Sequence, residues 1–182
     1  MTVKPTPLKD CLIIEPSVFK DERGRFFESF NQKTFKTHTG IQIDFIQDNQ
    51  SISQYGTIRG LHFQTGKFAQ AKLIRVAKGE VLDVVVDMRP ESETYLKQFS
   101  YVLTGENNHQ LFVPRGFAHG FACLSSEAIF VYKCDNYYHK ASETGILLND
   151  ETLNIDWQIP KSAQIISEKD QNLPSLKTYL NS

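Results

Sequence analysis

Long hydrophobic runs are missing from this sequence. No apolar stretch approaches the ~18 residues of a membrane-spanning helix. The first residues, Met1-Thr2-Val3-Lys4-Pro5-Thr6-Pro7, hold no apolar h-region, so no secretory leader is expected. Cysteine is scarce, with only Cys11, Cys123 and Cys134. Their number is odd and no C-x-x-C spacing occurs. That speaks against a disulfide framework or a zinc knuckle and fits a reducing, cytoplasmic setting. Buried, inert thiols are the expected state of all three. Charge of one sign is missing as well. The formal net charge is -1, so no polybasic or polyacidic field points to nucleic acid or membrane as partner. An anionic ligand would have to be held by a few placed Arg and Lys side chains. Solenoid repeats, low-complexity tracts and Pro/Gly/Ser linkers are also lacking.

What is present is ordinary globular material: 182 residues, 40% apolar and 23% charged. One domain spanning residues 1–182 is the expectation, since domains typically hold roughly 100–200 residues. Leu12 to Glu15 reads as a strand stopped by Pro16. Asp21 to Arg25 is a turn, and Asn31 to Lys36 suits one or two helical turns. Ile43 to Ser51 has period-two character. Thr57–Gln64, Ala69–Val76 and the β-branched run Glu80–Asp87 follow as strands, with Lys78-Gly79 turning the chain between the last two. Lys97–Leu103, His109–Val113, His119–Leu124 and Ala128–Tyr132 complete the series. Helix is confined to the Gln32 segment, Asn149 to Thr152 and a short C-terminal piece. Nine or ten short strands with turns between them predict an all-β sandwich or barrel.

Two stretches put polar groups where barrel walls should be: Arg59-Gly60-Leu61-His62-Phe63-Gln64, and Lys72. Alternation places Lys72 with Ile74 and Val76 on one face, and Leu73 with Arg75 on the other. Parity alone leaves open whether Lys72 points inward or snorkels outward. His62 shares a face with Gln64 and Ile58 by the same count. Asp83 shares one with Val81 and Val85. A buried Asp needs a cation or donors, and Lys72 is one candidate.

Pro114-x-Gly116-x-x-His119 resembles the second motif of the cupins, and Gly60-x-His62-x-Gln64…Gly79 stands where their first motif would be. Metal-binding cupins supply His-x-His and a Glu from the first motif. Here Gln64 replaces the second His, no Glu follows at a suitable spacing before Glu80, and Lys72 stands in the strand that should carry the acid. An ammonium there repels a divalent cation, and His62 with His119 are too few for a tight site. No metal is therefore expected.

A longer series of fragments carries a sharper resemblance. It comprises Asp21-Glu22-Arg23-Gly24…Phe27-Glu28, Gln47-Asp48-Asn49, Arg59-Gly60-Leu61-His62, Ala69 to Leu73, Gly79 to Val84, Pro114 to Phe121, Tyr132-Lys133, Tyr137-Tyr138, Asn149-Asp150 and Ser167-Glu168-Lys169-Asp170. In this order the fragments resemble the dTDP-4-dehydrorhamnose 3,5-epimerase family over about residues 10 to 174. The resemblance implies a cupin-type jelly-roll barrel, a homodimer with strands shared across the interface, no cofactor, and a dTDP-linked 4-keto-6-deoxyhexose as substrate. It implies His62 as base with Asp170 behind it, Tyr132 as acid, and Lys72 at the enolate oxygen. An imidazole with pKa near ~6.5 and a phenol near ~10 suit those roles at neutral pH. Arg23 and Arg59 match phosphate-side positions, although Arg23 beside Glu22 also reads as a surface ion pair. Glu28, Gln47 and Asn49 match positions that meet the nucleotide, with the partner subunit as one source. His119, Tyr138, Glu143 and Lys169 match other pocket positions. Arg25 and the Thr65-Gly66-Lys67 loop depart from the family pattern away from the chemistry.

Three other functions share parts of this pattern: an epimerase acting at C3 or C5 alone, a metal-dependent cupin oxygenase or isomerase, and a non-catalytic sugar-binding cupin. The first keeps the same His, Lys and Tyr. The missing ligands speak against the second. Retention of His62, Lys72 and Tyr132 together speaks against the third.

Overall fold

A computed structural model describes residues 1–181. The elements in order are β1 (Thr2–Pro5), β2 (Leu12–Glu15), β3 (Phe19–Asp21), β4 (Gly24–Phe26), α1 (Gln32–Thr39), β5 (Gln47–Gln54), β6 (Thr57–Gln64), β7 (Lys72–Lys78), β8 (Glu80–Asp87), β9 (Gln98–Thr104), β10 (Gln110–Val113), β11 (Phe117–Cys123), β12 (Glu127–Cys134), β13 (Glu143–Gly145), β14 (Ile165–Ile166), α2 (Glu168–Gln171) and α3 (Leu176–Leu180). One sheet has the order β1-β2-β10-β7-β12-β5, and the other β13-β6-β11-β8-β9. β14 runs parallel beside β6. β3 and β4 form a separate two-stranded hairpin.

The two sheets face each other across a shared core. Ile74, Val76, Leu111 and Phe130 enter it from the first sheet, and Val81, Val85, Leu103 and Phe121 from the second. Both outer faces are also covered. Leu148, Trp157, Ile159 and Leu176 pack on Ile58, Leu61, Leu82 and Val84 behind the second sheet. Phe35 of α1 packs on Ile14, Leu73 and Phe112 behind the first. α1 begins at Asn31, whose side chain accepts from Thr34 N, and ends at Gly40 in the left-handed region. Burial on both faces explains the run Val81 to Val86, which has almost no polar side to show.

The sequence expectations hold for the central strands and fail at the edges. β6 and β8 have the expected bounds. The period-two stretch 43–46 is not a strand: Ile43 and Phe45 cover the outer face of the first sheet, and the ladder starts only at Gln47. The expected helix at Asn149 to Thr152 is a turn. Asp150 Oδ1 accepts from Thr152 N and Leu153 N, and Oδ2 from Leu176 N at 2.8 Å. A side chain that captures nearby amides competes with helix in this way. β1, β3, β4, β13 and β14 are too short or too polar for alternation to reveal them.

One irregularity positions the site. In the β6–β11 ladder, His62 pairs with His119 but Arg59 pairs with Phe121. Three steps on β6 thus match two on β11, so β6 carries one extra residue. The bulge reverses parity, and Arg59 and His62 come to the same inner face. Ile58 instead joins Leu61 and Phe63 on the outer face. This corrects the expected grouping of Ile58 with His62. Gly60 sits in the bulge at φ 124°, where a Cβ would come within 2.5 Å of Gly120 Cα, so no larger residue fits.

Candidate active site

The bulge and the opposing sheet open onto one cavity of about 620 Å³ between the sheets. His62, Lys72, Tyr132 and Asp170 all line it. So do Gln47, Asn49, Arg59, His119, Tyr138, Glu143 and Lys169. Eleven of the thirteen residues anticipated from the sequence therefore meet, drawn from β5, β6, β7, β11, β12, β13, the start of α2 and, for Tyr138, the segment between β12 and β13.

His62 and Asp170 form the tightest unit. His62 Nε2 lies 2.7 Å from Asp170 Oδ1. Asp170 Oδ2 accepts from Gly60 N at 3.3 Å, so the bulge also orients the carboxylate. α2 delivers Asp170, and the Ser167 hydroxyl accepts from Asp170 N at 3.1 Å. Burial pushes the Asp170 carboxyl up, but the hydrogen bonds from His62 and Gly60 outweigh it and hold it below the usual range. A carboxylate on Nε2 assigns the proton of neutral His62 to that nitrogen and leaves the lone pair on Nδ1.

Tyr132 and Lys72 come from the opposite sheet. Tyr132 pairs with Ile74 and Cys134 with Lys72 in the β12–β7 ladder. The Lys72 ammonium lies 5.9 Å from the Tyr132 ring centroid. Lys72 thus shares the inner face with Ile74 and Val76, which settles what parity left open. Its pKa is lowered by burial, against the raising effect of Cys134, Asp83 and Glu143. Burial pushes the Tyr132 phenol up to about 12, with Cys134 and Glu143 adding to it. The phenol therefore keeps its proton at neutral pH.

A polar network lines the rest. Lys169 Nζ and the Tyr138 hydroxyl donate to Glu143 Oε2 at 2.6 and 2.9 Å. Tyr138 N donates to Gln47 Oε1 at 3.0 Å. Gln47 Nε2 donates to Asn49 Oδ1 at 3.1 Å. Arg59 Nε donates to Ser53 Oγ at 3.2 Å. His119 Nε2 lies 3.0 Å from Asp83 Oδ2, so the hydrogen-bond partner of Asp83 is His119 and not Lys72. Burial pushes the His119 pKa down despite Asp83, so the ring is neutral.

Arg23 and Glu28 are not brought to this cavity. Arg23 caps the β3–β4 hairpin, with its side chain 90% exposed and paired to Asp21 at 2.5 Å. This is the surface ion-pair geometry, with Asp21 rather than Glu22 as partner. Glu28 accepts from Asn31 Nδ2 at 3.0 Å and lines a separate groove beside the hairpin.

Sequence reasoning missed several contributors. Ser51 continues the inward face of Gln47 and Asn49, and its hydroxyl is buried without a partner among the described residues. Period two from Gln47 could have found it. Phe121 and Phe130 stack 4.1 Å apart and form the apolar floor. Gln64, read as a replaced metal ligand, ties two rim loops together instead. Its Oε1 accepts from His139 N at 2.6 Å, and its Nε2 donates to Phe68 O at 3.3 Å. No local pattern signals that role.

An inward-turned set of polar groups inside a jelly roll of antiparallel strands is the build of a cupin-type enzyme. Among the described residues, no cluster of three or more His, Cys, Asp or Glu is arranged to hold a metal ion. The sequence profile of the family described as dTDP-4-dehydrorhamnose 3,5-epimerase matches residues 5–178. A relative of that name from Shigella flexneri is 51% identical over 172 residues, covering 94% of each chain. A solved structure of that name from Elizabethkingia anophelis is 55% identical, superposes with a TM-score of 0.93 and covers 97% of each chain. A Legionella pneumophila epimerase solved in complex with dTDP-4-keto-L-rhamnose is 44% identical with a TM-score of 0.92, covering 97% of this chain and 93% of that one. The chain belongs to the dTDP-4-dehydrorhamnose 3,5-epimerase family.

Proposed function

We propose that this protein inverts C3 and C5 of dTDP-4-dehydro-6-deoxy-D-glucose by proton removal and return, a step of dTDP-L-rhamnose biosynthesis in the cytoplasm. The observation that carries the reading is the His62–Asp170 pair at 2.7 Å, with His62 on the opposite sheet from Tyr132 and Lys72 and all four in one cavity.

The C4 ketone acidifies the hydrogens on C3 and C5. His62 Nδ1 takes one of them, and Asp170 stabilises the imidazolium that forms. The electrons move to O4 as an enolate. Lys72 supplies a cation there. Inversion requires the returning proton to reach the opposite face of the carbon. Tyr132 stands on the facing sheet and holds a proton at neutral pH, so it is placed to deliver it. Arg59 and Lys169 supply cations for the diphosphate, and Tyr138 presents an aromatic face at the cavity rim.

Incubation with dTDP-4-keto-6-deoxyglucose in D₂O, with and without EDTA, tests the reading. Deuterium at both C3 and C5, unaffected by EDTA, is expected by NMR. Label at one carbon would make this a single-site epimerase, and loss of label with EDTA would point to a metal-dependent enzyme. Lys72→Ala should lower turnover by ~10²–10³, the usual cost of losing an oxyanion donor, with the thermal transition retained. An unchanged rate would refute the oxyanion assignment.

The working unit we propose is a homodimer. Phe19 and Phe26 are direct cross-strand partners on the β3–β4 hairpin, yet 67% and 72% exposed. A two-stranded hairpin is marginal by itself in water, and an exposed aromatic pair marks an interaction site. Docked on a second copy, the hairpin would carry Arg23 and Glu28 toward that copy's nucleotide site. The Phe19→Ser/Phe26→Ser double variant should elute as a monomer in light-scattering chromatography and bind dTDP more weakly. A dimer of wild-type stability would count against this interface.

A further inference from the structure

Asp83 is a fully buried charged residue behind the cavity wall, in contact with the lining residue His119. It sits on β8 with 0% exposure, between Val81 and Val85 on the inner face. Its Oδ2 meets His119 Nε2 at 3.0 Å. Its Oδ1 is buried and has no hydrogen-bond partner among the described residues. A buried carboxylate oxygen left unpaired is costly, and such an orphan calls for an explanation. Lys72 presents the complementary problem. Its ammonium faces the same interior from the other sheet, and among the described residues no hydrogen bond or ion pair within 4.0 Å holds it.

We propose that Asp83 is a positioning residue of the epimerisation, whose free carboxylate oxygen supplies the counter-charge that keeps Lys72 an ammonium while its other oxygen fixes the His119 ring. The proposal rests on the epimerase reading and deepens it. A neutral amine at Lys72 could still donate an N–H to the enolate oxygen, but without the positive charge it would be the weaker partner of a developing anion. Burial works to remove that proton, and the nearby anionic groups work to retain it. The titratable groups facing Lys72 are Cys134 and Tyr132 on β12, Asp83 on β8, His119 on β11 and Glu143 on β13. Of these, Cys134 is a thiol held protonated, its pKa pushed up to about 11 by burial. Glu143 already serves Lys169 and Tyr138. Asp83 is the carboxylate with an uncommitted oxygen. Its hold on His119 Nε2 has a second consequence: the lone pair of that ring rests on Nδ1, so His119 meets the substrate as a hydrogen-bond acceptor and suits a sugar hydroxyl.

The sign of the pH effect follows. Asp83 raises the Lys72 pKa, so its removal brings deprotonation of Lys72 to lower pH. Tyr132, at about 12, does not interfere in that range. Asp83→Asn should therefore show an alkaline limb of kcat/KM displaced to lower pH. The ratio of variant to wild type should fall as the pH rises along the alkaline limb, by about tenfold for each unit by which the limb is displaced, as for a single titrating group. Asp83→Glu, which returns the charge, should recover most of the wild-type profile. A merely structural Asp83 would lower the rate by a factor independent of pH, and a flat ratio overturns the proposal. Asp83→Ser leaves room for a water and answers the same question should the Asn variant not fold. The wild-type exchange reaction in D₂O is run alongside. No exchange there defeats the epimerase reading itself, whereas exchange with a flat ratio defeats only the role of Asp83.

Discussion

Replacing His62 with Ala or Asn abolishes deuterium uptake at C3 and at C5 together. That joint loss is the expected result because, of the two carboxylate-backed imidazoles in the cavity, His62 on Asp170 is the more open, with its side chain 27% exposed against 8% for His119. His119, the neighbouring ring, is paired through Nε2 to Asp83 and kept neutral by burial, on the strand beside His62. General-base catalysis is typically worth ~10²–10⁴ in rate, and a loss at or beyond the upper end is expected. Asp170→Asn should approach the same loss by another route. An amide in place of the carboxylate can donate to His62 Nε2 and move the ring proton to Nδ1, the atom that must accept. It also removes the charge that stabilises the imidazolium. The measurement is the NMR rate of label entry at each carbon. Appreciable residual exchange at either carbon in the His62 variants would mean that a second base serves it.

Tyr132→Phe separates proton removal from inversion. The Tyr132 ring packs against the shared core and lies 5.9 Å from Phe130, and Phe keeps both contacts, so the fold should persist. Only the hydroxyl goes, and with it the proton held by a phenol at about 12. His62 still forms the enolate and still returns a proton to the face it came from. Label should therefore enter while net inversion falls, by ~10²–10⁴ for a lost general acid. Comparing label entry with formation of the inverted sugar checks this. An equal loss of both would remove Tyr132 from the role of acid.

The chemistry-bearing residues are largely legible from the chain. His62, Lys72, Tyr132 and Asp170 stand in recognisable fragments, and the presence of Gln64 and Lys72 in place of metal ligands is readable by comparison with the cupin motifs. Their facing is not. Alternation cannot orient Lys72 because both faces of β7 are covered, Leu73 by α1 and Ile74 by the opposing sheet. Neither parity therefore shows a polar side. The count fails outright at β6, where a bulge at Gly60 moves Arg59 onto the face of His62. A bulge is a property of two strands in register, and a single strand's pattern does not contain it. Arg23 and Glu28 stand in matching fragments but lie outside this chain's cavity.

The segment from Arg59 to Gln64, taken with Lys72, shows the division between chain and fold. By itself the sequence determined the strands, through β-branched runs and turn residues, which are local properties of composition and period. The roles expected of His62, Tyr132 and Lys72 came from the family resemblance of the fragments that hold them. Tertiary structure decided which of those groups meet. Asp170 reaches His62 across 108 residues of chain, and Asp83 holds His119 while facing Lys72 from the other sheet. Such pairings depend on sheet order, register and burial on both faces, and these arise only when the two sheets close on one another.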